Sequence, residues 1–264
     1  MDYVIVGLVS LAAAALTLFS GFGLGSILTP VFAIYLPVDI AVAATAVVHL
    51  ANNVFKLALI GRWARAGIVL RFGLPAIPAA LLGAWVLVWL SGTVPLASYA
   101  LGAHVAVVTP AKLAVAALIA AFAIIELAPG GGTPALGARW LPLGGAISGF
   151  LGGISGHQGA IRSAFLLKAG LDHRQYVGTN AVIAVMVDVS RLTVYGLGVF
   201  AAHFEALSRR NVLALAVVAM CCAFVGSYFG ARLVHGRKVT LTFLRYLVAV
   251  MLVVLAAALG AGVI

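Results

Sequence analysis

His157, Gln158, Arg162 and Ser163 fall within one short stretch, "SGHQGAIRSAFL" at residues 155 to 166, in a chain that is otherwise mostly apolar. An imidazole, an amide, a guanidinium and a hydroxyl at this spacing can bind an anion, the guanidinium supplying charge and paired donors while its neighbours fix orientation. The glycine pattern predicts a short helix here with Arg162 about one turn inside it, where the helix dipole already repels a cation. Burial in a bilayer adds at least about 2.5 kcal/mol on insertion scales. Something negative is therefore expected beside Arg162. A bound anion meets that need; the alternatives are a structural ion pair with Asp188, or a side chain that snorkels to the cytoplasmic face.

Two more polar sets follow helical periods. Asn180, Asp188, Arg191 and Tyr195 are spaced to lie near one face of the next helix. Asp188 and Arg191 either neutralise each other at i, i+3 or take part in transport, with Asp188 also able to carry a proton. In the first half, His49, Asn52, Asn53 and Lys56 make a polar stripe at i, i+3, i+4 and i+7 on a greasy helix, and such a stripe should face a cavity. Lys56 taken alone reads as a snorkelling residue. His49 and His157 are candidate proton-coupling groups, because an unperturbed imidazole titrates near neutral pH; the plainer reading is a hydrogen-bonded structural histidine. His104, His173, His203 and His235 sit near expected helix ends and need no special role.

The elements that must position these groups are membrane helices. The 264 residues are 64% hydrophobic and 8% charged, with a mean hydropathy of +1.21, which excludes an ordinary water-soluble domain. The net charge of +10 would suggest nucleic acid in a soluble protein, but here it is topological, since Lys and Arg collect in cytoplasmic loops. The start "MDYVIVG" lacks the basic flank of a signal peptide, so the first apolar run is expected to remain as membrane helix. Cys221 and Cys222 are adjacent in an apolar stretch and read as packing residues. Nucleotide-binding loops and Cys/His/Asp/Glu clusters with metal spacing are both missing, so neither a metal nor another cofactor is expected.

"PGGGTPALGARW", residues 129 to 140, divides the chain into an N-terminal half (1 to 128) and a C-terminal half (141 to 264). Each half opens with an apolar helix, a glycine-rich break, a short apolar helix and then a long helix. Aligning "SGFGLGSILTPVFAIYLPVDIAVAATA" with "SGHQGAIRSAFLLKAGLDHRQYVGTNA" brings Gly25 onto Gly159, Phe32 onto Leu166 and Thr45 onto Thr179, a weak internal repeat. Spanning helices are expected at 3–20, 39–60, 68–90, 111–128, 141–155, 175–200, 211–235 and 241–264. Segments 25–36 and 159–169 are about 18 Å long and should be re-entrant or broken helices. Segment 97–108 is similarly short, and the topology requires that it not cross.

If each short helix returns to its starting side, three crossings remain in each half and the halves are inverted. Arg62, Arg65, Arg71, Arg139, Lys168, Arg174, Arg232, Arg237 and Lys238 then share one side, against Arg209 and Arg210 on the other. That bias makes the first side cytoplasmic and both termini periplasmic. Lipid cannot satisfy an open backbone, so the glycine-rich breaks must be buried in protein or line a wet cavity. Their unpaired N–H groups and positive dipole ends, aimed at one central region, make an anion site. Pro30, Pro75 and Pro78 read as kinks.

"GFGLGSILTP" followed by "AVAATA", with a second copy ending "VGTNA", resembles the TauE/SafE family of membrane permeases, also called the sulfite exporter family. The resemblance covers nearly the whole chain. It implies an all-α, polytopic secondary transporter of a small anion, a sulfur oxyanion, organosulfonate or small organic acid, in the bacterial inner membrane. On that resemblance Gly23, Gly25 and Pro30, Gly159, and Thr45 and Thr179 carry over as site residues. The departure is the second copy, where His157, Gln158, Arg162, Ser163 and Ala164 replace a glycine-rich run into proline; an added arginine and amide suit a larger or carboxylate-bearing anion.

The expected anion site therefore comprises Gly23, Gly25, Ser26 and Thr45 from the first half, and Gln158, Gly159, Arg162, Ser163, Thr179 and Asn180 from the second. His49, Asn52, Asn53, His157, Asp188 and Arg191 are assigned to pathway or coupling. The partners are a small anion, the lipid bilayer, and a proton or sodium ion. Two rival functions compete: a passive anion channel, which needs no alternation between gated states, and an intramembrane serine protease, because "GISG" at 153 to 156 has the G-x-S-G form around Ser155. The protease leaves the repeat unexplained.

Overall fold

The computed structural model describes residues 2–20, 24–102, 104–127, 137–200, 212–233 and 241–264. It is an all-α membrane bundle. The helices are α1 (Asp2–Ser20), α2 (Leu24–Ala33), α3 (Val38–Ile60), α4 (Ala66–Ser91), α5 (Pro110–Leu127), α6 (Leu141–Ser155), α7 (Gly159–Leu166), α8 (His173–Tyr195), α9 (Val212–Leu233) and α10 (Leu241–Gly260). Every expected spanning helix has its counterpart, with ends within a few residues except where α8 gives way at Gly196–Phe200 to a π-helical turn. Among the described residues four stretches meet the length and hydropathy of a full span by themselves: Val38–Trp63, Ala66–Ser91, His173–Val199 and Val212–Phe229. The two short segments are helices of 10 and 8 residues, too short for a ~30 Å crossing.

Segment 97–108 is not a helix. It folds into an antiparallel hairpin of β1 (Ala97–Leu101) and β2 (His104–Val108), with Ala97 paired to Val108. The alternation of Tyr99, Val105 and Val107 with small residues favours pleated backbone over helix, and Gly102 supplies the positive φ of 63° at the turn. Because its two ends return to one place, the hairpin does not cross. It is tied to the C-terminal end of the chain, since Tyr99 donates to the Ala261 carbonyl at 2.6 Å and the Val107 N–H donates to the Gly262 carbonyl at 3.0 Å.

The two halves interlock rather than sit side by side. α1 packs chiefly on α9 and α6 on α4, so the first helix of each half leans on the fourth principal helix of the other; α3 meets α8, and α5 meets α10. Small residues allow this closeness. Gly145, Gly149 and Gly153 recur every four residues along α6 and rest on the backbone of Phe72, Ala76 and Ala80 of α4, while Gly83 of α4 rests on Phe150. The other crossing repeats the device with Gly226 of α9 on the backbone of Leu11 of α1. Between apolar helices in lipid, such backbone approach takes the place of hydrophobic driving force.

At one end of the bundle Arg62, Arg65, Arg71, Arg139, Lys168 and Arg174 are all exposed. Arg62 and Arg174 each hold the guanidinium 5.4 Å from the Trp63 ring centroid, and Arg139 sits 5.6 Å from Trp140. Gly23, residues 129–136 of the linker, His203, Arg209, Arg210, His235, Arg237 and Lys238 lie outside the described residues, as do the side chains of His104 and Arg232.

At this end α8 begins with a capping box. The Asp172 carboxylate accepts the Gln175 N–H at 2.8 Å, and the Gln175 side chain accepts the Asp172 N–H at 3.4 Å. Asp172→Ala should lower stability by about 0.5–2 kcal/mol, read as a fall in thermal midpoint of purified protein, with anion affinity unchanged because Asp172 is exposed.

Candidate functional site

The first turn of α2 meets the second break. α6 ends at Gly156, whose φ of 81° is the left-handed conformation that favours glycine. Its carbonyl lies so close to Gly25 of α2 that a Cβ on Gly25 would come within 2.9 Å of it. A Cβ on Gly156 would in turn meet the Thr29 hydroxyl at 3.1 Å and Arg191 Nη1 at 3.3 Å. Glycine at both positions therefore lets the first turn of α2 press on the second break. His49 lies against the same place, its Cδ2 being 3.9 Å from that Gly25 Cβ position.

Arg162 is 1% exposed, so it neither reaches solvent nor snorkels. Nor does it pair with Asp188. Its Nε donates to Asn180 Oδ1 at 2.6 Å and its Nη1 to Gln158 Oε1 at 2.7 Å, both uncharged oxygens. Gln158 turns its amide the other way and donates from Nε2 to Asp188 Oδ1 at 2.8 Å. Asp188 is thereby committed elsewhere. Arg191 donates to Oδ1 from Nε at 3.0 Å and Nη2 at 2.7 Å, the i, i+3 neutralisation that the spacing allowed, while His49 Nδ1 stands 2.6 Å from Oδ2. Arg191 Nη1 also holds the Gly152 carbonyl at 3.1 Å. Side chains from α7, the break, α8 and α3 thus form one buried chain, Arg162 to Gln158 to Asp188 to His49 and Arg191. Two guanidinium charges face one carboxylate in it.

Other expected residues fall around this chain. Asn180 is 7% exposed, and Ser163, buried at 1%, lies beside Tyr176. Asn53 donates to the His49 carbonyl at 2.8 Å, and Asn52 Oδ1 accepts from Ser227 of α9 at 2.7 Å. Lys56 is also buried, at 8%, and its positive charge is repelled by that of Arg162. His157 is fully buried, stacked on Phe122 at 5.2 Å, and donates from Nδ1 to the Ser155 carbonyl at 2.9 Å. Its Nε2 and the hydroxyls of Thr29 and Thr45 are buried without a hydrogen-bond partner among the described residues. α2 packs on α3, with Gly25 near His49. Gly159 is buried at the start of α7 and Ser26 is half-buried in α2.

Thr179 parts from its repeat mate. Its hydroxyl accepts the Arg65 N–H at 3.0 Å, and the preceding Gly178 rests on the backbone of Ile60, Trp63 and Ala64. The start of α8 thus uses Thr179 to hold the α3–α4 connection, away from the Gly25–Gly156 junction. Ser155 is likewise engaged within its own helix, donating to the Leu151 carbonyl at 2.9 Å. His157 bonds the carbonyl of that serine and not its hydroxyl.

Two contributors, the Gly145/Gly149/Gly153 row and Ser148, lie outside the expected site residues. The Gly145/Gly149/Gly153 row carries a legible signal, small residues at i, i+4 and i+8. Ser148, which donates to the Gln158 carbonyl at 2.8 Å, and Tyr195, which donates to the Gly153 carbonyl, hold the second break in shape. Tyr195 belongs to the polar face that the spacing predicts, but nothing in that spacing names Gly153 as its acceptor.

A family model described as "Sulfite exporter TauE/SafE" matches residues 6–259, nearly the whole chain. No curated protein and no solved structure matches.

Proposed function

The chain belongs to the sulfite exporter TauE/SafE family, and from that premise we propose that it is a secondary transporter moving a small anion across the bacterial inner membrane. The observation that carries this reading is Arg162, a guanidinium 1% exposed that donates to two neutral oxygens, Asn180 Oδ1 and Gln158 Oε1. A fully buried cation is stable when an anion comes to it. The transported anion, in this reading, displaces Gln158 Oε1 from Arg162 Nη1 and takes further donors from Ser163, Asn180 and the first turn of α7. The Thr29 hydroxyl, beside Gly156 of the second break, and the Thr45 hydroxyl, both buried without a hydrogen-bond partner among the described residues, supply a second polar wall on the route.

The exchanged packing of α1 on α9 and α6 on α4 supports two inverted repeats. The cluster of exposed arginines around Trp63 and Trp140 supports a cytoplasmic face at that end, with both termini periplasmic. The substrate proposed is a sulfur oxyanion, an organosulfonate or a small carboxylate, and the coupling ion is a proton or sodium.

Flux into proteoliposomes tests this. Sulfite, methanesulfonate and acetate are offered with and without an imposed proton or sodium gradient. Accumulation of at least one above equilibrium is expected when a gradient is present. Purely downhill flux would make the protein a channel, and no flux of any of the three would overturn the reading.

A further inference from the structure

We infer that the His49–Asp188 pair takes up a proton when the anion binds, and that Gln158 is the positioning residue through which anion occupancy reaches that pair. This rests on the reading of Arg162 as the anion contact. The geometry is a relay with one exchangeable link. The Gln158 amide has a single orientation that satisfies both neighbours, with Oε1 toward Arg162 Nη1 at 2.7 Å and Nε2 toward Asp188 Oδ1 at 2.8 Å. An anion that claims Arg162 Nη1 removes the acceptor half of this arrangement. The freed amide then turns toward the anion with its N–H group, the only end that can bond an oxyanion, and so leaves Asp188.

Asp188 loses one donor and gains a nearby negative charge. Both changes raise the proton affinity of a carboxylate and of an imidazole bonded to it. The proton enters at His49, because the side chains of the pair are 11% and 0% exposed for His49 and Asp188. With Nδ1–H donating to Asp188 Oδ2 at 2.6 Å, Nε2 of the neutral ring is the basic site. One N–H bond forms there, and the pair titrates as a unit.

The charged and titratable groups facing the pair are Arg191 and Tyr195 from α8, Arg162 from α7 and Lys56 two turns along α3 from His49. Arg191 and Arg162 oppose protonation of His49 until the anion offsets them. That opposition makes uptake conditional on substrate, as coupling requires. The linkage is reciprocal, so protonation also tightens anion binding. A dianion should recruit more proton than a monoanion whatever the charge on Lys56, since that charge is common to both cases.

Two probes whose charge is constant near neutral pH separate the possibilities: sulfate, a dianion, and methanesulfonate, a monoanion. Purified full-length protein in weakly buffered detergent solution is titrated with each while an indicator dye reports protons. Proton uptake on binding is expected, larger for sulfate, with affinity rising up to about tenfold per unit fall in pH for one linked proton. In Gln158→Leu the protons taken up per bound anion should fall below half, whatever the change in affinity. In His49→Gln, which keeps a donor for Asp188 but cannot charge, uptake should vanish and the pH profile flatten. Size-exclusion elution checks that each variant is folded, and if Gln158→Leu is not, His49→Gln decides. Binding without proton uptake, or wild-type proton-to-anion ratios in the folded variants, overturns the relay while leaving the anion reading standing. A wild-type protein that binds neither probe, nor sulfite, overturns the anion reading itself.

Discussion

Arg162→Ala is expected to abolish anion binding while leaving a folded, monodisperse protein. The side chain is buried and its hydrogen bonds run to Asn180 Oδ1 and Gln158 Oε1, so the variant removes a charge and leaves behind two amides that can bond each other. That asymmetry favours retention of the fold, because the cost of burying a guanidinium disappears together with its bonds. The bound anion has no such compensation. Removing one member of a buried charge pair costs about 2–5 kcal/mol, which at about 1.4 kcal/mol per decade is roughly thirtyfold or more in Kd. Arg162→Lys should fall between the two, since an ammonium keeps the charge but loses the planar fork that serves Asn180 and Gln158 together. Calorimetric titration with sulfite and methanesulfonate, paired with proteoliposome flux, reads both effects. Wild-type affinity in the alanine variant would remove Arg162 from the site.

The second large effect is structural. Gly149→Val should prevent assembly of the bundle or lower Tm by roughly 10 °C, the shift expected for about 3 kcal/mol in a domain of this size. A Cβ at Gly149 would collide with the Ala76 carbonyl, and the adjoining Gly145 and Gly153 meet Phe72 and Ala80 backbone in the same way. Backbone cannot swing aside as a flexible side chain can, so the variant must part α4 from α6 and with them the two halves of the chain. Gly67→Ala is the control, because nothing lies within 4 Å of a Cβ there; it should be neutral or slightly stabilising. Equal thermal stability of Gly149→Val and the parent, by differential scanning fluorimetry in detergent, would show that the contact is not what binds the halves.

Helix positions were legible because they depend on local quantities. An apolar run long enough to span or a glycine-rich break acts on its own backbone, so residues 38–60, 66–91 and 173–195 could be read to within about two residues at their starts. Segment 97–108 was the exception among these, since a run of Val, Tyr and Ala suits helix and strand alike until a partner strand is present. The burial of the polar stripes agrees with their periodicity: His49, Asn52 and Asn53 are all buried, as are Asn180, Asp188, Arg191 and Tyr195, and Lys56, which taken alone reads as snorkelling, is buried with them.

Pairing within those stripes was not legible. The sequence by itself determined an all-helical membrane protein with two glycine-rich breaks and an arginine beside the second, because hydrophobic length and glycine placement act residue by residue. Only the tertiary structure decided that Asp188 serves Arg191, His49 and Gln158 and leaves Arg162 to neutral oxygens, and that Thr179 holds a loop while Thr45 stands unpartnered. Hydrogen bonds and ion pairs are satisfied by whichever group lies within about 3 Å. For residues 139 apart, as His49 and Asp188 are, that distance is set by how α3 crosses α8, which depends on close backbone packing throughout the bundle.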